Sequence, residues 1–256
     1  MATTLNPGNR IEYIDALRGF TMILVVMGHT MSDSGMADSA FAWILTIFRM
    51  PLFFFVSGFV TYKTVKPCSA SDIGGGFLKK IRGQLIPTVV VAALYALLKT
   101  IPFDDFVFSD NKYGYWFPWA LFQIFIIYYL VQWFSNRFLS RKGELTLFLI
   151  VILASTLISR SPLAETKTGL LFSSFHTFYY LQYFFFGVLA RKYIDLFQRF
   201  ITNQAVISIL LVLFVGLYIF VDYEPALWKH ILRQVEKYSG MLLVFALFVS
   251  YSSFFS

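Results

Sequence analysis

Cysteine, histidine and charged side chains are all scarce in this chain. Of its 256 residues, 14% are charged, three are histidine and one, Cys68, is cysteine. A single cysteine excludes an intrachain disulfide framework and a metal site made of several thiolates, so we expect no metal centre. Soluble domains carry about 25% charged residues. The low share of charge therefore argues against a soluble protein.

The chain is rich in apolar residues. Hydrophobic residues make up 58% of the chain and aromatic residues 20%. They gather in runs close to the ~20 residues that an α-helix needs to cross a bilayer. We therefore predict an all-α, polytopic integral membrane helix bundle, with one domain over residues 1–256 and about eight transmembrane helices. The expected spans are 14–31, 40–62, 85–101, 115–135, 144–160, 173–191, 204–222 and 239–256.

The lysines and arginines lie mainly at the edges of the apolar runs. Their excess gives a net charge of +7, which we assign to topology and lipid headgroups rather than to nucleic acid. The connections after the second, fourth and sixth spans are richer in Lys and Arg than the alternate ones. This distribution predicts a cytoplasmic N-terminus. The first residues lack a basic segment and a cleavage site, so we do not expect a removed signal peptide.

The first apolar run carries three ionisable residues: Asp15, Arg18 and His29. Ionisable groups inside a bilayer are costly and usually mark functional sites. Arg18 and His29 are eleven residues apart, which places them on one helix face about 16 Å apart along the axis. We expect the two side chains to line a continuous cavity across the membrane. On its own, His29 is equally compatible with an imidazole that is merely hydrogen-bonded at the interface.

Other candidate residues follow along the chain. Arg49 lies in the second span just before Pro51, in the half where it could approach His29. The glycines at 74–76 do not match a phosphate-binding loop, and we interpret them as a flexible turn. A basic cluster then follows at Lys79, Lys80 and Arg82, and an aromatic segment begins at Trp116.

Five short motifs follow one another along most of the chain. They are Asp15-Ala16-Leu17-Arg18-Gly19 with His29, the Met50–Phe59 stretch, Leu85-Ile86-Pro87, Trp116-Phe117 with Leu121, and Phe185-Phe186-Gly187. Together they resemble the motifs of the membrane acyltransferase-3 family, and the resemblance is closest to members similar to fucose O-acetyltransferases. Two departures are clear: Arg49 stands where many members have histidine, and Gly83 and Gln84 stand where some have the second arginine of an Arg-x-x-Arg motif. The family has about ten spans, so we expect this chain to be short at its C-terminal end.

The resemblance implies a multi-pass enzyme of the bacterial inner membrane, with no bound cofactor. It implies transfer of an acyl group, expected to be acetyl, from acyl-CoA to a carbohydrate hydroxyl of an envelope or exported polysaccharide. His29 would accept the hydroxyl proton, and Arg18, with Asp15 as its local partner, would be catalytic. Donor and acceptor would be bound by the remaining candidates, Arg49, Lys79, Lys80, Arg82 and Trp116.

Several of these residues also have simpler explanations. The side chain of Arg18 can snorkel, so that its guanidinium reaches the cytoplasmic membrane surface. Arg49 can pair with an acidic group or polarise the thioester carbonyl. The Lys79–Arg82 cluster can mark the cytoplasmic side, and Trp116 can belong to an interfacial aromatic belt.

Two other kinds of function remain open. Histidine and arginine inside a membrane also mark transporters and proton or ion pathways. The chain could instead be an inactive, truncated member that binds a partner in envelope synthesis. The acyl chain, the acceptor glycan and the oligomeric state are not indicated by the sequence.

Overall fold

The computed structural model describes residues 12–36, 38–62, 70–220 and 227–251, and within them the chain forms only helices and their connections. A π-helical segment, Ile81–Leu85, joins the third helix to the fourth, and 3₁₀ turns form at Lys112–Gly114 and Pro162–Glu165. The α-helices are α1 (Glu12–Asp33), α2 (Ala40–Thr61), α3 (Ala70–Lys80), α4 (Ile86–Leu98), α5 (Phe103–Phe108), α6 (Trp116–Phe138), α7 (Arg141–Ser159), α8 (Lys167–Leu171), α9 (Ser174–Lys192), α10 (Ile194–Ile201), α11 (Gln204–Phe220) and α12 (Leu227–Ser250).

Four helical segments of the described chain are long and apolar enough to cross a membrane. A fifth span results if α10 and α11, which meet at an angle of 69°, are taken together. The prediction of an all-α chain with apolar membrane helices is therefore confirmed, whereas a count of eight spans is not. Helices α7, α9 and α12 overlap the predicted segments 144–160, 173–191 and 239–256, but they do not meet this criterion. Residues 252–256 of the last segment lie outside the described residues. The four spans are Glu12–Ser32, Ala40–Thr61, Gly75–Leu98 and Trp116–Phe138.

The helices form two compact units. The terminal unit holds the described residues of Met1–Thr64 and Phe186–Ser256, and the middle unit holds those of Val65–Phe185. Helix α9 contributes its first part to the middle unit and its last part to the terminal unit.

Phenylalanine rings form the core of the terminal unit. The ring of Phe55 in α2 is fully buried. Its centre lies 5.2 Å from the ring of Phe245 in α12, 5.5 Å from Phe186 in α9 and 6.0 Å from Phe197 in α10. Aromatic pairs at such distances add to the stabilisation from burial. The phenylalanine-rich stretch after Pro51 therefore supplies the ring at the centre of this core.

Gly187 allows the end of α9 to lie directly on α2. A Cβ atom at this position would lie 2.0 Å from the backbone oxygen of Phe55 and 2.8 Å from the backbone nitrogen of Phe59. Only a residue without a side chain fits so close to a neighbouring backbone. This contact gives a packing reason for the glycine in the Phe-Phe-Gly motif.

In the middle unit, α3 packs against α6, and the prediction of a flexible turn at the glycines is wrong. Gly75 and Gly76 are α-helical. A Cβ atom on Gly76 would lie 3.2 Å from the ring of Tyr129 in α6. Glycine is a poor helix former in isolation, but here it leaves room for a tyrosine ring. Tertiary packing therefore overrides the local preference.

The segments between the predicted spans also contain helix. Residues 102–114, between the third and fourth predicted spans, hold the short helix α5 and a 3₁₀ turn, and α12 begins at Leu227, before the last predicted span. The described part of that span thus belongs to a longer helix.

Candidate active site

Helix α1 has a buried face and an exposed face. Ile14, Leu17, Thr21 and Leu24, which recur every three or four residues, are all buried. The helix packs against α2 and α12. Phe20 at the edge of the buried face contacts the ring of Phe248 at 5.3 Å. The buried stripe thus fixes which side of α1 faces away from the core of the terminal unit.

Arg18 and His29 both lie on the exposed side of α1. The helix is unbroken from Glu12 to Asp33, so its regular geometry separates the two residues by about 16 Å and turns them by only ~20° relative to each other. Both residues are exposed. The described part of the terminal unit therefore leaves both residues on the uncovered side of α1, next to its buried, apolar side. The continuous cavity that the sequence indicated stays a prediction.

Asp15 and Arg18 form an ion pair one turn apart. The distance from Asp15 Oδ1 to Arg18 Nη1 is 3.3 Å, and the two side chains are 34% and 56% exposed. Exposed pairs of this kind contribute little to stability. The role of Asp15 that this geometry supports is to orient the guanidinium at one end of the exposed face.

Arg49 reaches from α2 to the residue that precedes His29. A Cβ atom on Gly28 would lie 1.3 Å from Arg49 Nη1, so the guanidinium occupies the space beside the glycine. A cavity of about 130 Å³ adjoins it, lined by Gly28 and Ser32 from α1 and by Thr46 and Arg49 from α2, among others. The side chain of His29 is rotated by about 100° from the Gly28 position. The imidazole of His29 and the guanidinium of Arg49 thus lie at adjacent positions around the same turn of α1.

We expect that Gly28→Ala will move the Arg49 guanidinium without unfolding the protein. The clash involves the far end of a flexible side chain, so the chain can respond by a change of rotamer. If Arg49 acts on the reacting group, a displacement of about 1 Å can lower the transfer rate by about 10²-fold. The measurements are the acyl-transfer rate and the melting temperature in detergent.

The matched control is Gly216→Ala in α11, where a Cβ atom meets nothing within 4 Å. That variant should keep its rate, and its melting temperature should equal that of the wild type or lie slightly above it. Full activity in Gly28→Ala would show that the position of Arg49 does not matter for transfer.

The predicted basic cluster lies where α3 passes into the π-helical segment. Lys79 and Arg82 are exposed. Lys80 differs from them, because its Nζ lies 3.3 Å from the ring centre of Phe125 in α6. This cation–π contact helps to hold α3 on α6. Lys79 and Arg82 are therefore the members of the cluster with side chains open to a solution ligand.

Trp116 belongs to an aromatic group that the sequence did not indicate. The Trp116 ring lies 4.1 Å from the His176 ring and stacks on Tyr180 at 5.2 Å. His176 is buried, and its Nδ1 atom lies 3.5 Å from Asp110 Oδ1. The residues come from separate parts of the chain, and no motif linked them. Aspartate, histidine and tryptophan here form one cluster of the middle unit.

A metal site can also be tested on the structure. No group of three or more His, Cys, Asp and Glu side chains in the described residues is placed to hold an ion.

These observations define a class of protein: a helical membrane protein whose first helix presents an arginine and a histidine on one open face, beside a second arginine from the next helix. Residues 11–256 match the family model Acyl_transf_3, described as an acyltransferase domain. The chain therefore belongs to the acyltransferase-3 family, as its motifs predicted. No curated protein and no solved structure matches the chain.

Proposed function

We propose that this protein is a membrane O-acyltransferase that moves an acetyl group from acetyl-CoA to a carbohydrate hydroxyl of an envelope or exported polysaccharide. We place it in the bacterial inner membrane with a cytoplasmic N-terminus. The family supports an acyltransferase with a donor and an acceptor substrate. The observation that carries the proposal is the exposed side of α1, which bears both Arg18 and His29 and has the guanidinium of Arg49 next to Gly28.

His29 is the proposed general base. A neutral imidazole suits proton transfer near pH 7. It takes the proton from the acceptor hydroxyl while the hydroxyl oxygen attacks the thioester carbon. The carbon–sulfur bond of the resulting tetrahedral intermediate then breaks, and the departing CoA sulfur takes the proton from the imidazolium. The products are the O-acyl ester and free CoA, and His29 returns to its neutral state.

Arg49 is the proposed stabiliser of the negative charge that develops on the carbonyl oxygen. A guanidinium aimed at an oxyanion in a site with little water is an effective catalyst, since removal of one such donor costs about 10²- to 10³-fold in rate. The polar cavity beside Gly28 supports this role, because it has room for a small group next to the guanidinium. Arg18 and Asp15 serve at the other end of the same helix face, about 16 Å along the axis.

The length and the negative charge of acyl-CoA fit the spacing of Arg18 and His29 along α1. The 16 Å rise is comparable to the length of a pantetheine arm, so an acyl group can reach His29 while the nucleotide remains near Arg18. Guanidinium and ammonium groups bind phosphates well. Within the terminal unit, we assign the donor's phosphates to Arg18. Within the middle unit, the exposed Lys79 and Arg82 are the candidates for phosphate contacts.

A double variant, Lys79→Ala with Arg82→Ala, should raise the KM for acetyl-CoA about 10²-fold while leaving kcat nearly unchanged, because it removes two charge-assisted phosphate contacts, each worth about 1.5 kcal/mol. The control is Lys99→Ala, an exposed lysine at the other end of the same helical run. An unchanged KM would remove the cluster from the donor site.

The decisive experiment supplies acetyl-CoA labelled in the acetyl group to membranes with and without the protein. Transfer of label to a glycan that requires the protein supports the proposal. A proton or ion flux without label transfer would favour the transporter alternative. Neither label transfer nor flux, together with retention of envelope-synthesis proteins on the tagged chain, would favour a binding role.

A further inference from the structure

The middle unit contains an apolar cavity that the proposed reaction does not use. Its volume is about 430 Å³, and its walls come from α4, the segment around α5, and the start of α6. Ala92, Ala93 and Ala96 supply small side chains on the α4 wall, where larger ones would fill the space. A cavity of this size lies within the range of small-molecule sites, which combine apolar walls with a few polar groups.

Two residues that line this apolar space carry nitrogen donors. Lys112 lines the cavity and is buried. Its Nζ donates to the backbone oxygens of Val107 and Leu170, and an ammonium group has a third hydrogen to donate. Trp119 also lines the cavity, and its buried Nε1 has no hydrogen-bond partner in the described structure. A ligand with an apolar body and an oxygen-rich end satisfies both donors.

The charge at Lys112 favours an anionic end. Burial lowers the pKa of Lys112, which Asp110 only partly opposes. A buried charge is costly unless an opposite charge or hydrogen bonds compensate it. An anionic group beside the ammonium would offset that cost. The backbone of Lys112 is left-handed, with φ of 41°, as is that of Tyr113 with φ of 50°, and such strained non-glycine residues tend to occur at functional sites.

The position of α4 indicates which molecule supplies the apolar part of the ligand. Helix α4 belongs to the candidate membrane span Gly75–Leu98, of which only 6% is buried. Val89 and Leu97, which line the cavity, are 51% and 75% exposed. The wall of the cavity is therefore a helix with the length and composition to lie in the hydrocarbon. Lipid chains are the apolar molecules available there.

We propose that this cavity binds one hydrocarbon chain of a bilayer lipid whose anionic phosphate headgroup pairs with Lys112. The site is separate from the proposed acyl transfer and makes no demand on it. In the bound state, the hydrocarbon chain of the lipid lies along the alanines of α4. Its headgroup then faces the ammonium of Lys112 and the indole N–H of Trp119.

The test uses the full chain in nanodiscs with photoreactive phosphatidylglycerol, which carries a diazirine near the chain end. Matched probes are a phosphatidylcholine and a free fatty acid with the same reactive chain. We expect phosphatidylglycerol to label peptides from the α4 wall and from the segment 101–119, more than either other probe. Preferential labelling by the fatty acid, or equal labelling by all three, would overturn the assignment of the headgroup.

A pair of tryptophan variants on α4 tests the cavity itself. Ala96→Trp fills the space and should lower this labelling at least tenfold. Val90→Trp adds the same ring on the same helix, at a position that is exposed and does not line the cavity, and should leave labelling unchanged. Equal labelling in the two variants would overturn the proposal.

Lys112 is tested by Lys112→Gln and Lys112→Arg. The first should remove the preference for phosphatidylglycerol over phosphatidylcholine, and the second should retain it because it keeps the positive charge. Melting temperatures are measured alongside, since Lys112 also links two backbone segments. A preference that survives in a folded Lys112→Gln protein would overturn the role of Lys112. Because no acyl-CoA is present, failure of this proposal is distinguishable from failure of the proposed transferase activity.

Discussion

Replacement of His29 by alanine is expected to lower the acyl-transfer rate by about 10²- to 10⁴-fold, the range that a general base typically contributes. The variant removes the group that accepts the proton of the attacking hydroxyl. His29 is exposed on α1 and lies outside the helix core. The melting temperature should therefore change little. The measurement is label transfer from acetyl-CoA in vesicles that contain equal amounts of folded protein.

His230→Ala is the matched control, because His230 is also an exposed histidine of the terminal unit, in α12. It should retain the full rate. Full transfer activity in His29→Ala would eliminate His29 as the base.

The largest expected effect on stability comes from Gly187→Ala. The added methyl group would meet the backbone of Phe55 and Phe59 at 2.0 and 2.8 Å. A backbone inside a helix cannot swing aside as a side chain can, so α9 must move away from α2. Overpacking of this kind costs about 1–3 kcal/mol, and more where the surroundings are rigid. We expect the upper end of that range, because Phe55 and its ring neighbours would have to move together.

Gly216→Ala again provides the comparison, since it adds the same methyl group to a helix in open space. Alanine has a higher helix propensity than glycine by about 1 kcal/mol, so this variant should be as stable as the wild type or slightly more stable. The two are compared by thermal unfolding in detergent and by size-exclusion profiles. A melting temperature for Gly187→Ala equal to that of Gly216→Ala would contradict the close approach of α9 and α2.

Local periodicity explains what could be predicted from the sequence. The run from Ile14 to Met31 is helical, and an unbroken helix determines the rise and rotation between Arg18 and His29. Run length and composition were enough to predict an all-α membrane protein. Run length and composition were not enough to predict the number of spans. Helices α7, α9 and α12 form where spans were predicted, but they do not reach the length or apolarity of the four clear spans.

Contacts between distant parts of the chain explain what could not be predicted. Asp110 and His176 are 66 positions apart, and only the fold of the middle unit brings them within 3.5 Å. The exposure of His29 depends on which side of α1 the other helices cover. The turn predicted at Gly75 and Gly76 failed because the tyrosine ring that requires a small neighbour comes from α6.

The π-helical segment Ile81–Leu85 has a consequence for the direction of the basic side chains. A π-type turn holds one more residue than an α-type turn, and one residue corresponds to about 100° of rotation. The five residues between α3 and α4 therefore set the angular offset between Lys79 and the wall that carries Ala92 and Ala96. Deleting a single residue there would rotate Lys79 by about 100° around the helix axis relative to Ala92 and Ala96. The π-helical segment thus determines on which side of the apolar helix α4 the positive charge of Lys79 lies.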